Sequence, residues 1–295
     1  MRDEHARAAA HWSAKKPSHL KLRWWQSEYV VRHINQRVCG KAIPLQSAGA
    51  YRILADIGPF DRGISIGCGE GQKELRLLQL GVAKHFDLYE LSLDRVKRAR
   101  ERAAKLGLEE RAIFHIADGL EAASGPFDLV HWNNALHHML DTDAAIRWSR
   151  MILRNGGVFF LDDYVGPNRL QWTPTMIEAA TVFRSRLPDR LLRNPHNPGK
   201  TLNREAKPTN LESLVQSDPT EAADSENILP AVLRHFPAAR VMLTGGVIYH
   251  AGLNDVLHNI EESGDHRWLD EALALDDTYT DAGITHYAVA LAGRH

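Results

Sequence analysis

Gly67, Gly69 and Gly71 alternate with Cys68 and Glu70 directly after the apolar run Ile64-Ser-Ile66, and a helix-like stretch begins at Gln72. A turn of this kind lets backbone N–H groups approach a ligand closely at a helix N-terminus, where the dipole favours a carboxylate or a phosphate. A dinucleotide fingerprint asks for another glycine at position 72; the glutamine found there disfavours a nicotinamide cofactor. Glu90 closes the next apolar run, FDLYE, where its carboxylate can accept both hydroxyls of a ribose. Asp118 closes RAIFHIAD one run later, placed either beside an adenine amino group or as the cap of a turn. A fourth run, FDLVHWNN, ends in Asn133 and Asn134 and leads into Ala135-Leu-His137-His138.

The elements that must carry these residues alternate. From residue 61 the chain reads RGISIG, QKELRLLQLG, HFDLYEL, SLDRVKRARERAAKLG, RAIFHIAD, FDLVHWN and GGVFFLDD, strand and helix in turn, which predicts a parallel sheet covered by helices. The helix after Ser92 is well punctuated. Ser92 is its N-cap candidate, Asp94 sits in its first turn, Val96, Ala99, Ala103 and Leu106 face inward, and Gly107 stops it. Residues 1–60 read as an N-terminal helical cap, with Leu22, Trp25, Tyr29 and Ile34 near helical spacing. Residues 61–163 read as the binding core and 164–235, rich in proline and arginine, as a lid insertion whose clearest helix is TPTMIEAATVFRSRL and clearest loop NPHNPGK. Residues 236–295 supply two late strands, ARVMLTGG and THYAVALAG, around an acidic helical insertion at 252–280.

With 295 residues, 44% of them apolar and 25% charged, the chain can bury a large core without disulfides. Cys39 and Cys68 are its only cysteines, so a reducing cytoplasm is expected, and neither a leader peptide nor a run of eighteen apolar residues is evident. A net charge of -1 gives no global attraction for nucleic acid. The charges are unevenly spread: residues 1–41 are rich in Lys and Arg, and 254–282 in Asp and Glu. Were the basic segment to lie over the site, it would favour an anionic acceptor.

The series ISIGCGEG, DLYELS, AD, FDLVHWNNALHHM and LRNGGVFFLDD resembles the successive motifs of class I S-adenosylmethionine-dependent methyltransferases, across about residues 61–163. RWW…HIN, GPNRLQW and SDPTEAADSENILP are similar to a bacterial branch that modifies sugars or secondary metabolites. The resemblance implies an α/β, Rossmann-like, doubly wound seven-stranded sheet, order 3-2-1-4-5-7-6 with strand 7 antiparallel. It implies that Gly67, Gly69 and Gly71, with Cys68 between them, line the methionine end of the cofactor. Glu90 and Leu91 would hold the ribose, Ala117, Asp118 and Gly119 the adenine, and Asn133 would lie near the sulfonium. The sequence lacks the Asp/Asn-Pro-Pro-Tyr/Phe motif of enzymes that methylate nucleic-acid bases or protein glutamine, which points to a small-molecule acceptor rather than nucleic acid.

Methyl transfer from a sulfonium is an in-line displacement, so the protein must chiefly align an oxygen or nitrogen with the methyl group and exclude water. A hydroxyl acceptor calls for a general base, for which His137, Asp162 and Asp163 are the candidates, with His138 and Tyr164 beside them. Asp162 and Asp163 cannot both face the site if the strand persists, because neighbours alternate faces. Trp25, Tyr29, His138 and Tyr164 are the expected acceptor contacts. No metal is assigned, since apart from His137-His138 the histidines show no ligand spacing. The alternatives are a non-catalytic adenosyl-binding regulatory module and, less favoured by Gln72, a nicotinamide-dependent oxidoreductase.

Overall fold

The structure is a computed structural model and describes residue 20 and residues 23–294. The basic positions of residues 1–19 and 21, together with Leu22, lie outside the described residues. The alternating segments form β1 (Phe60–Ile66), β2 (Ala83–Tyr89), β3 (Ala112–His115), β4 (Phe127–Asn133) and β5 (Leu153–Tyr164), all paired in parallel. A two-stranded hairpin, β6 (Arg193–Asn194) and β7 (Asn197–Thr201), stands apart and takes up most of the stretch NPHNPGK expected to be a loop, leaving Pro195 and His196 as its turn. The main sheet is completed by β8 (Arg240–Gly245) and β9 (Tyr287–Gly293), with β9 antiparallel between β5 and β8. Its order, β3-β2-β1-β4-β5-β9-β8, is the expected 3-2-1-4-5-7-6 once the hairpin is set aside.

Eleven helices are described: α1 (Glu28–Cys39), α2 (Ala48–Ile57), α3 (Gln72–Gln79), α4 (Leu93–Lys105), α5 (Gly119–Ala122), α6 (Thr142–Ile152), α7 (Pro174–Arg186), α8 (Leu211–Ser217), α9 (Ile228–His235), α10 (Leu257–Ser263) and α11 (Arg267–Asp281). None of them is long and apolar enough to cross a membrane. The period-2 alternation of β9 shows why the sheet needs cover on both sides. Val289 and Leu291 enter one core with Leu54, Leu75, Phe86 and Val96, beneath α2 to α4, whereas Ala288, Ala290 and Ala292 enter a second with Trp132, Ile146, Phe159 and Val232, beneath α6 and α9. Helix α9 thus packs on the sheet, although its residues fall in the stretch read as an insertion.

Ser92 caps α4 by accepting from the Arg95 N–H, and Val96, Ala99 and Ala103 are buried as the spacing predicts. Leu106 departs from the pattern: it follows the last helical residue and is 42% exposed, while Leu108, beyond Gly107, takes the buried place. The N-terminal stripe departs as well. Ser27 interrupts it, accepting from the Val30 N–H to start α1 afresh after a separate 3-10 turn, Trp24–Gln26. Trp24, Val30, Val31 and Val38 therefore face inward, and Trp25 is 46% exposed.

A third core joins Trp24 and Val30 to Tyr164, to Met176 and Phe183 of α7, to Tyr249, and to Leu269 and Leu273 of α11. It lies at the edge of the sheet where β5 and β8 end and β9 begins. The uneven charge closes on itself here. Arg37 pairs with Asp277 at 2.7 Å and Asp281 at 2.8 Å, His33 reaches Asp277 at 3.0 Å, Arg23 lies 3.7 Å from Asp255, and the Tyr29 hydroxyl donates to Asp270. Arg23 and Arg37 of the basic segment thus pair with the acidic one, while Arg32 pairs with Glu28 of its own helix.

Candidate active site

The turn after β1 places Gly67, Gly69 and Gly71 at φ of 66°, 61° and 65°, a left-handed conformation that side chains with a Cβ rarely adopt. At Gly71, which opens α3, a Cβ would also stand 2.9 Å from the Phe114 ring. The turn is tied to the end of β2 by Glu90, whose Oε2 accepts from the Gly69 N–H at 2.9 Å and whose Oε1 accepts from Ser92 N–H at 2.8 Å. Each carboxylate oxygen has a second lone pair, so these bonds hold Glu90 in place without using up its capacity.

Around this turn opens a cavity of about 1230 Å³ at the carboxyl ends of β1, β2 and β4. Gly67, Cys68, Gly69, Glu90, Leu91, Ala117, Asp118, Gly119 and Asn133 line it, together with His138. Gly71 sits behind the wall and serves packing. Asp118 caps α5, accepting from Leu120 N–H at 2.9 Å, while its residue still borders the cavity, so the two uses expected of it are compatible. Burial pushes the Cys68 thiol up well above its ordinary pKa, and it lines the cavity as a neutral thiol.

Asn133 ends β4 held from two sides. Its Nδ2 donates to Ser47 Oγ and to the Tyr51 hydroxyl, each at 3.2 Å, and its carbonyl accepts from Lys73 Nζ at 3.0 Å. Ser47 in turn donates to Asp162 Oδ2 at 2.6 Å. Burial pushes Asp162 above the ordinary carboxylate value, opposed by the Ser47 hydroxyl and the Lys73 ammonium. Lys73, Ser47 and Tyr51 all border the cavity, and none was singled out from the sequence. Lys73 had a signal, being the second residue after the last glycine of the turn; Ser47 and Tyr51 had none, because their reach to Asn133 exists only after folding.

Asp162 and Asp163 do face opposite ways. Asp163 is fully buried and accepts from the backbone N–H groups of Ala135 at 3.0 Å and Leu136 at 2.7 Å, and from His137 Nδ1 at 2.5 Å. Burial disfavours a charged imidazole at His137, but Asp163, Glu221 and Asp218 outweigh it and raise the pKa to about 9. The neighbouring His138 is driven the other way, down to about 3, by burial and by the His137 charge. His137 therefore already holds a proton at neutral pH, and the neutral ring that borders the cavity is His138. His138 Nδ1 lies 3.1 Å from Thr220 Oγ1, and His137 Nε2 lies 3.7 Å from Glu221. Thr220 and Glu221 come from the SDPTEAADSE stretch, singled out only by resemblance.

Tyr164 is buried at the end of β5, its hydroxyl donating to the Pro167 carbonyl at 3.0 Å, among Tyr287, His250 and His286. Trp25 and Tyr29 lie over α11 and the N-terminal turn, outside the cavity lining. The structure thus brings the cofactor residues and His138 together and leaves Trp25, Tyr29 and Tyr164 apart from them.

A sheet in this order, parallel but for β9, with a glycine turn, an acidic residue directly after β2 and a capping Asp after β3, defines a Rossmann-like methyltransferase fold. Residues 61–208 match the family described as a methyltransferase domain, and the chain belongs to it, as a class I enzyme whose cofactor is S-adenosylmethionine. The 27-O-demethylrifamycin SV methyltransferase of Amycolatopsis mediterranei is 34% identical over 107 residues, 36% of this chain and 39% of that protein. A methyltransferase of Streptomyces halstedii is 29% identical over 112 residues, 37% of this chain and 40% of the relative. The match thus spans about two fifths of either relative. Among solved structures, geranyl diphosphate C-methyltransferase of Streptomyces coelicolor A3(2), determined with Mg2+, geranyl diphosphate and S-adenosyl-L-homocysteine, superposes with a TM-score of 0.54 at 13% identity, over 99% of this chain and 98% of that one. At that identity the likeness is one of fold.

Proposed function

We propose that the chain transfers the methyl group of S-adenosylmethionine to an oxygen or nitrogen of a small molecule: a sugar, a nucleotide sugar or a secondary metabolite. The observation that carries this reading is the single cavity on which Gly67 and Gly69, Glu90, Asp118 and Asn133 converge, with His138 bordering the same space. In it Glu90 accepts from the ribose hydroxyls, Asp118 and Gly119 meet the adenine, and Lys73, whose ammonium is already beside Asn133, pairs with the methionine carboxylate. The likeness to a rifamycin-modifying relative supports a secondary metabolite acceptor and an oxygen nucleophile.

In-line transfer needs the acceptor atom opposite the sulfur and water kept out. Asn133, fixed through Ser47 and Tyr51, and His138 border that side. His137 holds its proton on the Asp163 side, so at neutral pH it positions charge, and the base sought from the sequence is not this ring in its resting state. The test is incubation of the protein with methyl-labelled S-adenosylmethionine and pools of sugars, nucleotide sugars and secondary metabolites, followed by mass spectrometry. A small-molecule product one methyl group heavier supports the reading. Label appearing only in protein or nucleic acid overturns the acceptor class.

A further inference from the structure

We propose that His137, His138 and Glu221 form a site for a first-row divalent transition metal at the wall of the cavity. One nitrogen of each ring and one Glu221 oxygen lie within 4.8 Å of one another. A point within about 2.8 Å of all three (4.8/√3) therefore exists, and inward movements of about 0.7 Å would reach the roughly 2.0–2.2 Å of metal bonds to imidazole and carboxylate.

The placement of the ring protons argues for a ligand. Asp163 accepts from three backbone N–H groups, which with His137 hold its pKa below the ordinary carboxylate value, so it is a carboxylate and His137 Nδ1 is the donor to it. The second proton of that ring, which a metal would displace, is on Nε2, the nitrogen facing Glu221. The Thr220 hydroxyl donates to Asp218 Oδ1 at 2.7 Å, so its oxygen accepts from His138 Nδ1–H, and in this neutral ring the nitrogen without a proton is Nε2. Metal-binding histidines characteristically have the other ring nitrogen held by a carboxylate or similar acceptor, which fixes the tautomer and raises basicity. Here one ring is held by a carboxylate directly and the other through a hydroxyl.

The backbone that presents Glu221 is held in an unusual way. Ala222 has φ of 47°, and Arg169 and Leu170, in the loop beside it, have 57° and 54°. Such conformations in residues other than glycine persist only where the surroundings impose them. The Arg169 guanidinium donates to the carbonyls of Pro219 at 2.6 Å and Glu221 at 3.3 Å, and the Arg169 N–H donates to the Ala222 carbonyl at 2.6 Å. The result fixes one carboxylate beside two rings that come from the end of β4. Two imidazoles and one carboxylate suit zinc, manganese, iron or cobalt better than magnesium, which prefers oxygen ligands.

His138 and Thr220 border the cavity, so a metal held here would lie beside the space taken by the acceptor. This consequence rests on the methyltransferase reading. An acceptor hydroxyl bound there becomes more acidic; its proton leaves to solvent, its oxygen bonds to the methyl carbon, and the carbon–sulfur bond breaks with the electron pair staying on sulfur.

The site is tested without cofactor or acceptor. The full chain, stripped with EDTA, is titrated with Zn2+ by calorimetry and with Co2+ by visible absorption. One equivalent per chain is expected, with binding at least about tenfold weaker in Glu221→Gln and in Thr220→Val, the latter removing only the hydroxyl that holds His138. Unchanged unfolding midpoints of the metal-free variants establish that they are folded, and should Thr220→Val be unfolded, Glu221→Gln decides alone. Equal affinity in wild type and variant, or no saturable binding by wild type, overturns the site. Failure here leaves the adenosyl pocket untouched, and failure to bind S-adenosylhomocysteine leaves the metal titration unaffected.

Discussion

Replacing Asp163 by Asn removes the charge that keeps His137 protonated while retaining an oxygen near its Nδ1. In the metal-free protein the His137 pKa of about 9 stands above the ordinary 6.5, a difference worth on the order of 3 kcal/mol. Because the folded value is the higher one, this stabilisation is complete below about pH 6.5 and disappears as the pH rises through about 9. In Asp163→Asn the burial of the ring is no longer opposed by its main partner, so the His137 pKa should fall below its ordinary value. Breaking one member of a buried pair costs roughly 3–5 kcal/mol at neutral pH, of which the pH-dependent part is that of the histidine. Urea unfolding of wild type and variant in EDTA, at about pH 6.5 and about pH 9.5, isolates the effect from groups common to both. The gap between the two proteins should shrink by about 3 kcal/mol at the higher pH, and NMR titration of the His137 ring should show the fall directly. A gap that is the same at both pH values, or a His137 that still titrates near 9 in the variant, would refute the reasoning.

Trp24→Ala should cost roughly 3–5 kcal/mol in urea unfolding, since Trp24 is 8% exposed in the third core, whereas the exposed Trp25→Ala should stay within about 1 kcal/mol. Lys73→Met should weaken S-adenosylhomocysteine binding by about tenfold or more yet leave adenosine, which lacks the carboxylate, unchanged; equal losses for both would remove Lys73 from that role. Raising salt should lower the stability of the folded chain slightly, through the Arg37, Asp277 and Asp281 cluster, with little effect on acceptor affinity.

The sheet was legible because its signals are local. Ile64 to Gly71, Ser92 to Gly107 and THYAVALAG each carry their own period, caps and stops, and the strand order followed from the family those segments resemble. Errors arose where a choice depended on distant partners. Leu106 fits the helical period of α4, but the chain turns at Gly107 and Leu108 fills the core instead. Trp25 fits the period of a helix that Ser27 in fact starts later, which exchanges its place with Trp24. The basic N-terminal segment looked available to a ligand, and only the fold shows Asp277 and Asp281 against Arg37. The same holds at the site. The positions of Glu90 and Asp118 follow from strand ends, but the Asp163 bonds that protonate His137 join residues from β5 and the turn after β4, and Glu221 reaches them from a distant loop.

The central claim is that this cavity holds an adenosyl amino acid for methyl transfer, and calorimetry with S-adenosylhomocysteine and NAD tests it most directly. Saturable binding of S-adenosylhomocysteine at one site per chain is expected, with NAD weaker or undetectable, and Glu90→Ala should weaken the former by roughly 1.5–3 kcal/mol, the range for hydrogen bonds to a charged group. Tighter binding of NAD, or an S-adenosylhomocysteine affinity that Glu90→Ala leaves unchanged, would contradict the account.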